Sequence, residues 1–317
     1  MRVLVTGADG FAGRHVVELL VQADHEVWAG CRPGGEPAKR WLGQKAQKAV
    51  TVIPLEITDP TSVSAALGRP FEAIVHLAAV ASGSEARQDP GRAWVVNAAG
   101  TARLVDAAAT LRGKTGVDPL MLVVSSAEVY GNGPAAPRVE TDPLAPQSPY
   151  AASKVGTEVA ALEAWRREGL RVVIARAFPH TGPGQLPLYV VPAFLERLRA
   201  ARATGAVEVR TGSLDPVRDL LDVRDVAAAY VALLGQGSPG EAYNVARGAG
   251  VTLRELFGRL ADMVGAKVTP VPDPSLMRPG DIQYLVGDAG KLRRATGWSP
   301  GFTLEQTLRE MVDAQAH

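Results

Sequence analysis

Arg2-Val3-Leu4-Val5-Thr6-Gly7-Ala8-Asp9-Gly10-Phe11-Ala12-Gly13 runs from a β-branched strand, through glycines three residues apart, into an amphipathic helix. A glycine turn between strand and helix brings backbone N–H groups and a helix N-terminus to one spot, an arrangement that suits a pyrophosphate. The spacing is G-x-x-G-x-x-G, not the commoner G-x-G-x-x-G. Outward from this turn, β-branched runs alternate with alanine- and leucine-rich stretches. Segments 2–6, 25–31, 50–54, 73–77, 120–125 and 171–177 read as strands. The helices between them are long enough for right-handed crossovers, so the expected fold is α/β: a doubly wound parallel sheet covered on both faces. Past Phe178 the texture changes, with Pro179, Pro183, Gly184, Pro187 and Pro192 breaking the chain. A first domain over 1–178 and a second, smaller mixed α/β lobe over 179–317 are expected. Segment 218–247 is expected to return to the first, and helices over 252–264 and 304–311 to complete the second.

The chain has 317 residues, with 34 Lys and Arg against 33 Asp and Glu, a formal net charge of +1. This balance offers no electrostatic footprint for nucleic acid or an anionic membrane. The single cysteine, Cys31, excludes an internal disulfide framework and multi-cysteine metal patterns, and fits a reducing cytoplasm. No apolar run approaches the roughly 20 residues of a membrane span. Neither a phosphate-binding P-loop nor a G-x-S-x-G elbow is present, so kinase and hydrolase readings have no foothold.

The second strand ends Ala29-Gly30-Cys31-Arg32, where an NAD site would carry an acid for the ribose hydroxyls. A guanidinium without a neighbouring carboxylate favours NADP(H), with NAD(H) the alternative. The fifth strand ends at Ser125-Ser126-Ala127-Glu128-Val129-Tyr130-Gly131, and Tyr150-Ala151-Ala152-Ser153-Lys154 follows. Ser148 can cap a helix whose first residue is Pro149, which places Tyr150 and Lys154 on one face. A tyrosine ordinarily titrates near pH 10, and an adjacent ammonium together with a positive nicotinamide is expected to favour the phenolate and bring it into the range of acid-base work. Ser126 could hold a substrate oxygen, Tyr150 exchange its proton, and Lys154 stabilise the phenolate while binding the nicotinamide ribose.

Together with His76-Leu77-Ala78-Ala79, Asn97-Ala98-Ala99-Gly100-Thr101, the run from Arg176 to Gln185, the run from Val217 to Asp225 and Arg278-Pro279-Gly280-Asp281, these motifs resemble the extended short-chain dehydrogenase/reductases acting on nucleotide sugars. The likeness spans nearly the whole chain and is greatest to the branch holding GDP-mannose 4,6-dehydratases and GDP-4-keto-6-deoxymannose reductases. It implies a Rossmann domain whose cofactor contacts are Gly7, Gly10, Phe11, Ala12, Gly13, Arg32, Glu56, Ile57, Leu77, Ala78, Ala79, Tyr150, Lys154 and Phe178. It implies Ser126, Glu128, Tyr150 and Lys154 as catalytic residues. It places the sugar nucleotide against Ser126, His180, Val190, Arg218 and Arg278, the two arginines facing the diphosphate unless they are structural ion-pair partners. His76 is expected beneath the cofactor. The middle and last motifs lean toward the reductase, and the implied reaction is NADPH-dependent reduction of the C4 ketone of a GDP-linked 4-keto-6-deoxyhexose. A dehydratase or epimerase, and a non-catalytic NADP-binding sensor or scaffold, are the alternatives.

Four departures from the family pattern bear on specificity. Pro179 stands where the family usually has asparagine, Glu56 replaces an aspartate facing adenine, Cys31 removes the NAD-type acid, and Ala127 lies where glucose-type dehydratases carry an acid. Glu128 is compatible with both dehydratase and reductase. The family also implies a homodimer, or a dimer of dimers, built on the helix over 92–111 and the Tyr150 helix. Arg197, Arg199 and Arg202, and the 291–294 cluster, read as solvated helix faces.

Overall fold

The computed structural model describes residues 1–34, 42–277 and 280–314. Its main sheet begins with β1 (Arg2–Thr6), helix α1 (Phe11–Gln22), β2 (Glu26–Cys31), α2 (Gln44–Ala49), β3 (Val50–Pro54), α3 (Pro60–Ala66) and β4 (Ala73–His76). Helices α4 (Gly83–Gln88), α5 (Pro90–Trp94) and α6 (Gly100–Thr115) lead to β5 (Leu120–Ser126), and α7 (Pro149–Glu168) leads to β6 (Arg171–Ala177). All six anticipated strands are present, within a residue of their expected ends.

The chain then runs through β7 (His180–Thr181), α8 (Val190–Thr204), β8 (Glu208–Thr211), β9 (Val217–Asp219), β10 (Leu221–Asp222) and α9 (Val223–Gln236) to β11 (Ala242–Val245). β11 adds a seventh strand to the sheet, beside β6, so the order is β11-β6-β5-β4-β1-β2-β3 with every pairing parallel. The order reverses between β1 and β4. At such a switch point the crossovers diverge to opposite sides and leave a crevice at the carboxyl ends of the strands. The remaining elements are β12 (Gly250–Thr252), α10 (Leu253–Val264), β13 (Thr269–Pro272), β14 (Tyr284–Leu285), α11 (Gly290–Thr296) and α12 (Leu304–Ala314).

Strand side chains alternate between two buried layers. Val3, Val5, Val173 and Ala175 face α1 and α9 through Val16, Leu20, Ala229 and Leu233. Leu4, Val172 and Ile174 face α6 and α7 through Leu104, Ala108, Ala161 and Ala164. A separate cluster joins Leu195 and Leu198 of α8, Leu256 and Leu260 of α10, and Leu308 of α12. Among the described residues no helix is long and apolar enough to cross a membrane.

The helix expected over 92–111 is not continuous. Between α5 and α6 the backbone opens into one π-helical turn, Val95–Ala99. Buried Asn97 sits in this turn, accepting from Val80 N at 2.8 Å and donating to Val80 O at 3.1 Å and Ser153 Oγ at 2.8 Å. Its side chain thus joins the loop after β4 to α7, a use for a widened turn that local periodicity does not reveal.

Candidate active site

The glycine turn forms a cradle at the end of β1. Gly7 has φ +65°, and a Cβ there would lie 2.8 Å from Ala78 N, while one on Gly13 would lie 2.3 Å from Gly7 O. No side chain caps the N-terminus of α1 at Gly10. Close backbone approach and uncapped helix N–H groups fit a dinucleotide pyrophosphate.

Beside the cradle, Thr6 Oγ1 accepts from Leu77 N at 3.2 Å and Ala78 N at 3.1 Å, which leaves its own proton for His76 Nδ1 at 2.8 Å. His76 Nε2–H therefore donates to Thr101 Oγ1 at 3.0 Å, and Thr101 donates to Asn97 O. Burial, followed by the charge of Lys154, pushes His76 down to about 3, so the ring is neutral. At the far end of the crevice Arg32 is exposed, while the Glu56 carboxylate accepts from Thr58 N at 2.9 Å and Thr58 Oγ1 at 2.7 Å. Those bonds, then the positive field of Arg32, hold Glu56 below its ordinary range.

Helix α7 starts as its sequence implies: Ser148 accepts from Ala151 N at 3.1 Å and Pro149 occupies the first turn. Tyr150 hydrogen-bonds Ser126, and Lys154 Nζ donates to Val124 O at 2.9 Å. Ser126 Oγ also accepts from Glu128 N at 3.2 Å, and Glu128 Oε2 accepts from Ser148 Oγ at 3.4 Å. One electrostatic expectation is corrected. Tyr150 lies above its ordinary value, because burial first, and the Glu128 carboxylate second, outweigh the Ser126 bond. Lys154 Nζ is held on Val124 O and its charge does not offset that burial; burial brings Lys154 itself to about 8 against the opposing pull of Glu158.

Across the crevice, His180 Nδ1 donates to Phe178 O at 3.1 Å, and its ring is parallel to that of Phe11, with centroids 6.1 Å apart. Arg218 is held as an ion-pair partner: Nη2 meets Asp281 Oδ1 at 2.7 Å and Nη1 donates to Ile282 O at 2.6 Å. Arg278 lies outside the described residues. With that exception every residue anticipated for catalysis, cofactor or substrate, from Gly7 to Arg218, lines one cleft of about 1230 Å³.

Other readings are revised. Arg197 lines the same cleft, Arg199 donates to Val312 O at 2.6 Å, and Arg202 donates to Val264 O at 2.7 Å. These arginines are not simply solvated, because the last carbonyls of α12 and α10 need donors. Likewise Lys291 donates to Ala242 O at 2.7 Å, and Arg293 to Arg247 O at 3.1 Å. The aspartates of the 217–225 motif are architectural. Asp219 accepts from Arg247 N, Gly248 N and Gly287 N; Asp222 caps α9 and pairs with Arg224; Asp225 accepts from Gly301 N and Phe302 N. No group of residues able to hold a metal ion is found among the described residues.

A family model of GDP-mannose 4,6 dehydratase matches residues 4–311. The chain is 33% identical over 318 residues to a GDP-6-deoxy-D-mannose reductase of Pseudomonas aeruginosa, covering 98% of this chain and 96% of that one. Among solved structures, RMD from Pseudomonas aeruginosa complexed with NADPH superposes with a TM-score of 0.80 at 32% identity, covering 99% of this chain and 98% of that one. The UDP-glucose 4-epimerase of Thermus thermophilus in complex with NAD gives 0.84 at 32% identity, over 99% and 98% of the two chains. The family match over nearly the whole chain and the superposition of the fold agree: the chain belongs to the GDP-mannose 4,6 dehydratase family, within the extended short-chain dehydrogenase/reductases of nucleotide sugars.

Proposed function

We propose that the protein uses NADPH to reduce the C4 ketone of a nucleotide-linked 4-keto-6-deoxyhexose, with GDP-4-keto-6-deoxymannose the favoured substrate. The observation that carries this reading is Arg32 at the carboxyl end of β2, where the strand itself offers no acid. An epimerase or dehydratase returns its hydride to the sugar, whereas a net reductase takes up a fresh reduced cofactor each turnover, and a cation here selects the phosphorylated form. The reductase relative supports the same choice.

The glycine cradle and the N-terminus of α1 would hold the pyrophosphate, Arg32 the 2′-phosphate, and Lys154 the nicotinamide ribose. When bound, the dihydronicotinamide supplies hydride. Ser126 and Tyr150 bond the ketone oxygen, and burial keeps the Tyr150 phenol protonated, ready to donate to the developing alkoxide. Lys154, at about 8, is an ammonium at neutral pH and stabilises the phenolate that remains. His180 and Val190 border the sugar, and Arg218, although paired with Asp281, lines the cleft and would offer its charge to the diphosphate. The 1–178 segment with β11 forms the cofactor domain, and the α8, α10 and α12 cluster the substrate lobe. The protein works in the cytoplasm as a homodimer joined through Trp94, Val95 and Val159, which are 47%, 47% and 60% exposed. A solution mass of one chain by light scattering would contradict the dimer.

Glu128 sustains a second reading, because a carboxylate beside Tyr150 can serve as the base of a 4,6-dehydratase. Supplying GDP-mannose and GDP-4-keto-6-deoxymannose separately, with NADPH, divides the two. NADPH consumption with the keto sugar alone supports the reductase. Conversion of GDP-mannose in heavy water to a 6-deoxy-4-keto product deuterated at C5 would contradict it.

A further inference from the structure

Three consecutive residues of β5 grip three residues spaced four apart on α7. Val124 O accepts from Lys154, Ser126 bonds Tyr150, and between them Ser125 Oγ donates to Glu158 Oε1 at 2.6 Å. Positions 150, 154 and 158 share one helical face. Glu158 is 2% exposed, and its carboxylate also accepts from Arg176 Nε at 3.0 Å and Nη2 at 2.8 Å. Arg176 is fixed in turn by Tyr130 Oη at 3.0 Å and Glu140 O at 2.9 Å, and Tyr130 Oη donates to Asn244 Oδ1 at 2.7 Å. Glu158 does not border the cleft and touches nothing that reacts. Stability is a weak reason for such a pair, since apolar replacements of buried ion pairs are often neutral or stabilising.

We propose that Glu158 is a positioning residue for the acid pair: fixed by Ser125 and Arg176, its carboxylate locks α7 to the end of β5 and keeps Lys154 as the ammonium. The inference rests on the reading of Tyr150 and Lys154 given above. The titratable groups around the pair are Glu158 on α7 itself, His76 from β4, Glu128 and Tyr130 from the turn after β5, Arg176 from β6, Tyr189 from the segment before α8, and Tyr230 from α9. His76 is neutral, and Glu158 is the neighbour whose charge supports that of Lys154. Burial works against the ammonium, and with the carboxylate gone only the Val124 carbonyl would oppose it. The Arg176 charge would then also stand uncovered.

The test follows the titration of Lys154 by NMR in protein labelled with [13Cε]-lysine, the resonance being assigned by its loss in Lys154→Arg. Native Lys154 should titrate at about 8. Glu158→Gln should lower this by about one unit or more, a tenfold or greater loss of ammonium above the new midpoint, and Glu158→Asp should restore most of it. If Glu158→Gln does not fold, the double variant Glu158→Gln/Arg176→Met strands no charge and should still titrate below the native protein. A folded Glu158→Gln or double variant with native Lys154 titration overturns the proposal. The pH dependence of ketone reduction in the same variants tests the parent reading separately. If Lys154 titration moves and the rate profile does not, Glu158 sets the charge of Lys154, but Lys154 is not the cation that catalysis needs.

Discussion

The Nζ of Lys154 lies 2.9 Å from the carbonyl oxygen of Val124, two residues before Ser126. The ammonium is therefore fixed to the same strand end that carries the hydroxyl bonded to Tyr150. Placed there, it can stabilise negative charge on the phenol only while protonated. Its value of about 8 makes kcat/KM for ketone reduction level near neutrality and falling about tenfold per pH unit above about 8. The Lys154→Met variant should lose this alkaline limb along with most of its activity. A native profile that stays level to about pH 10 would remove Lys154 from the chemistry.

Replacing Tyr150 by phenylalanine keeps the half-buried ring and deletes the proton donor. Turnover should drop by roughly a hundredfold to ten-thousandfold, the usual contribution of a positioned acid. The affinity for NADPH, read by fluorescence titration, should change by less than about threefold, because the glycine cradle and Arg32 are untouched. Near-native turnover would mean that another group protonates the oxygen.

Arg32→Ala should weaken NADPH by roughly ten- to a hundredfold, the loss of about 1.5 to 3 kcal/mol from a charged hydrogen-bonding pair, and leave NADH nearly unchanged. Competitive titration of the two cofactors measures both. Equal native affinities would show that Arg32 does not recognise a 2′-phosphate.

Much of this was legible in the sequence because it depends on short-range periodicity. The glycine turn, the Ser148 and Pro149 start of α7 and the four-residue offset between Tyr150 and Lys154 are all fixed by local geometry. What could not be read depends on distant partners. Nothing near Asn97 in the chain announces that it binds Val80 and Ser153. The spacing of Asp219, Asp222 and Asp225 does not say that Asp219 accepts from Gly248 and Gly287 while Asp225 accepts from Gly301. Sequence logic also counted the charges that favour a Tyr150 phenolate, an ammonium and a positive nicotinamide, and could not count the burial that raises the phenol.

Buried His76 gives the fold a defined acid sensitivity. Its folded value, about 3, lies below the ordinary unfolded value of about 6.5. The unfolded chain thus binds the proton first, and stability present above about pH 6.5 is lost as the pH falls toward 3. The slope is roughly 1.4 kcal/mol per pH unit, about 2 kcal/mol by pH 5. Urea unfolding at pH 7 and pH 5 should show this loss, and His76→Gln, able to bridge Thr6 and Thr101 without titrating, should show a smaller one. Identical pH dependence in both proteins would assign the acid loss elsewhere.

The account turns on where hydride goes, and the most direct measurement supplies NADPH carrying deuterium at its transferable C4 position to the protein with GDP-4-keto-6-deoxymannose, then locates the label by NMR and mass spectrometry. A ketone reductase predicts one deuterium at C4 of the sugar and one NADPH oxidised per product. A product without deuterium at C4, or formed without net oxidation of NADPH, would contradict it.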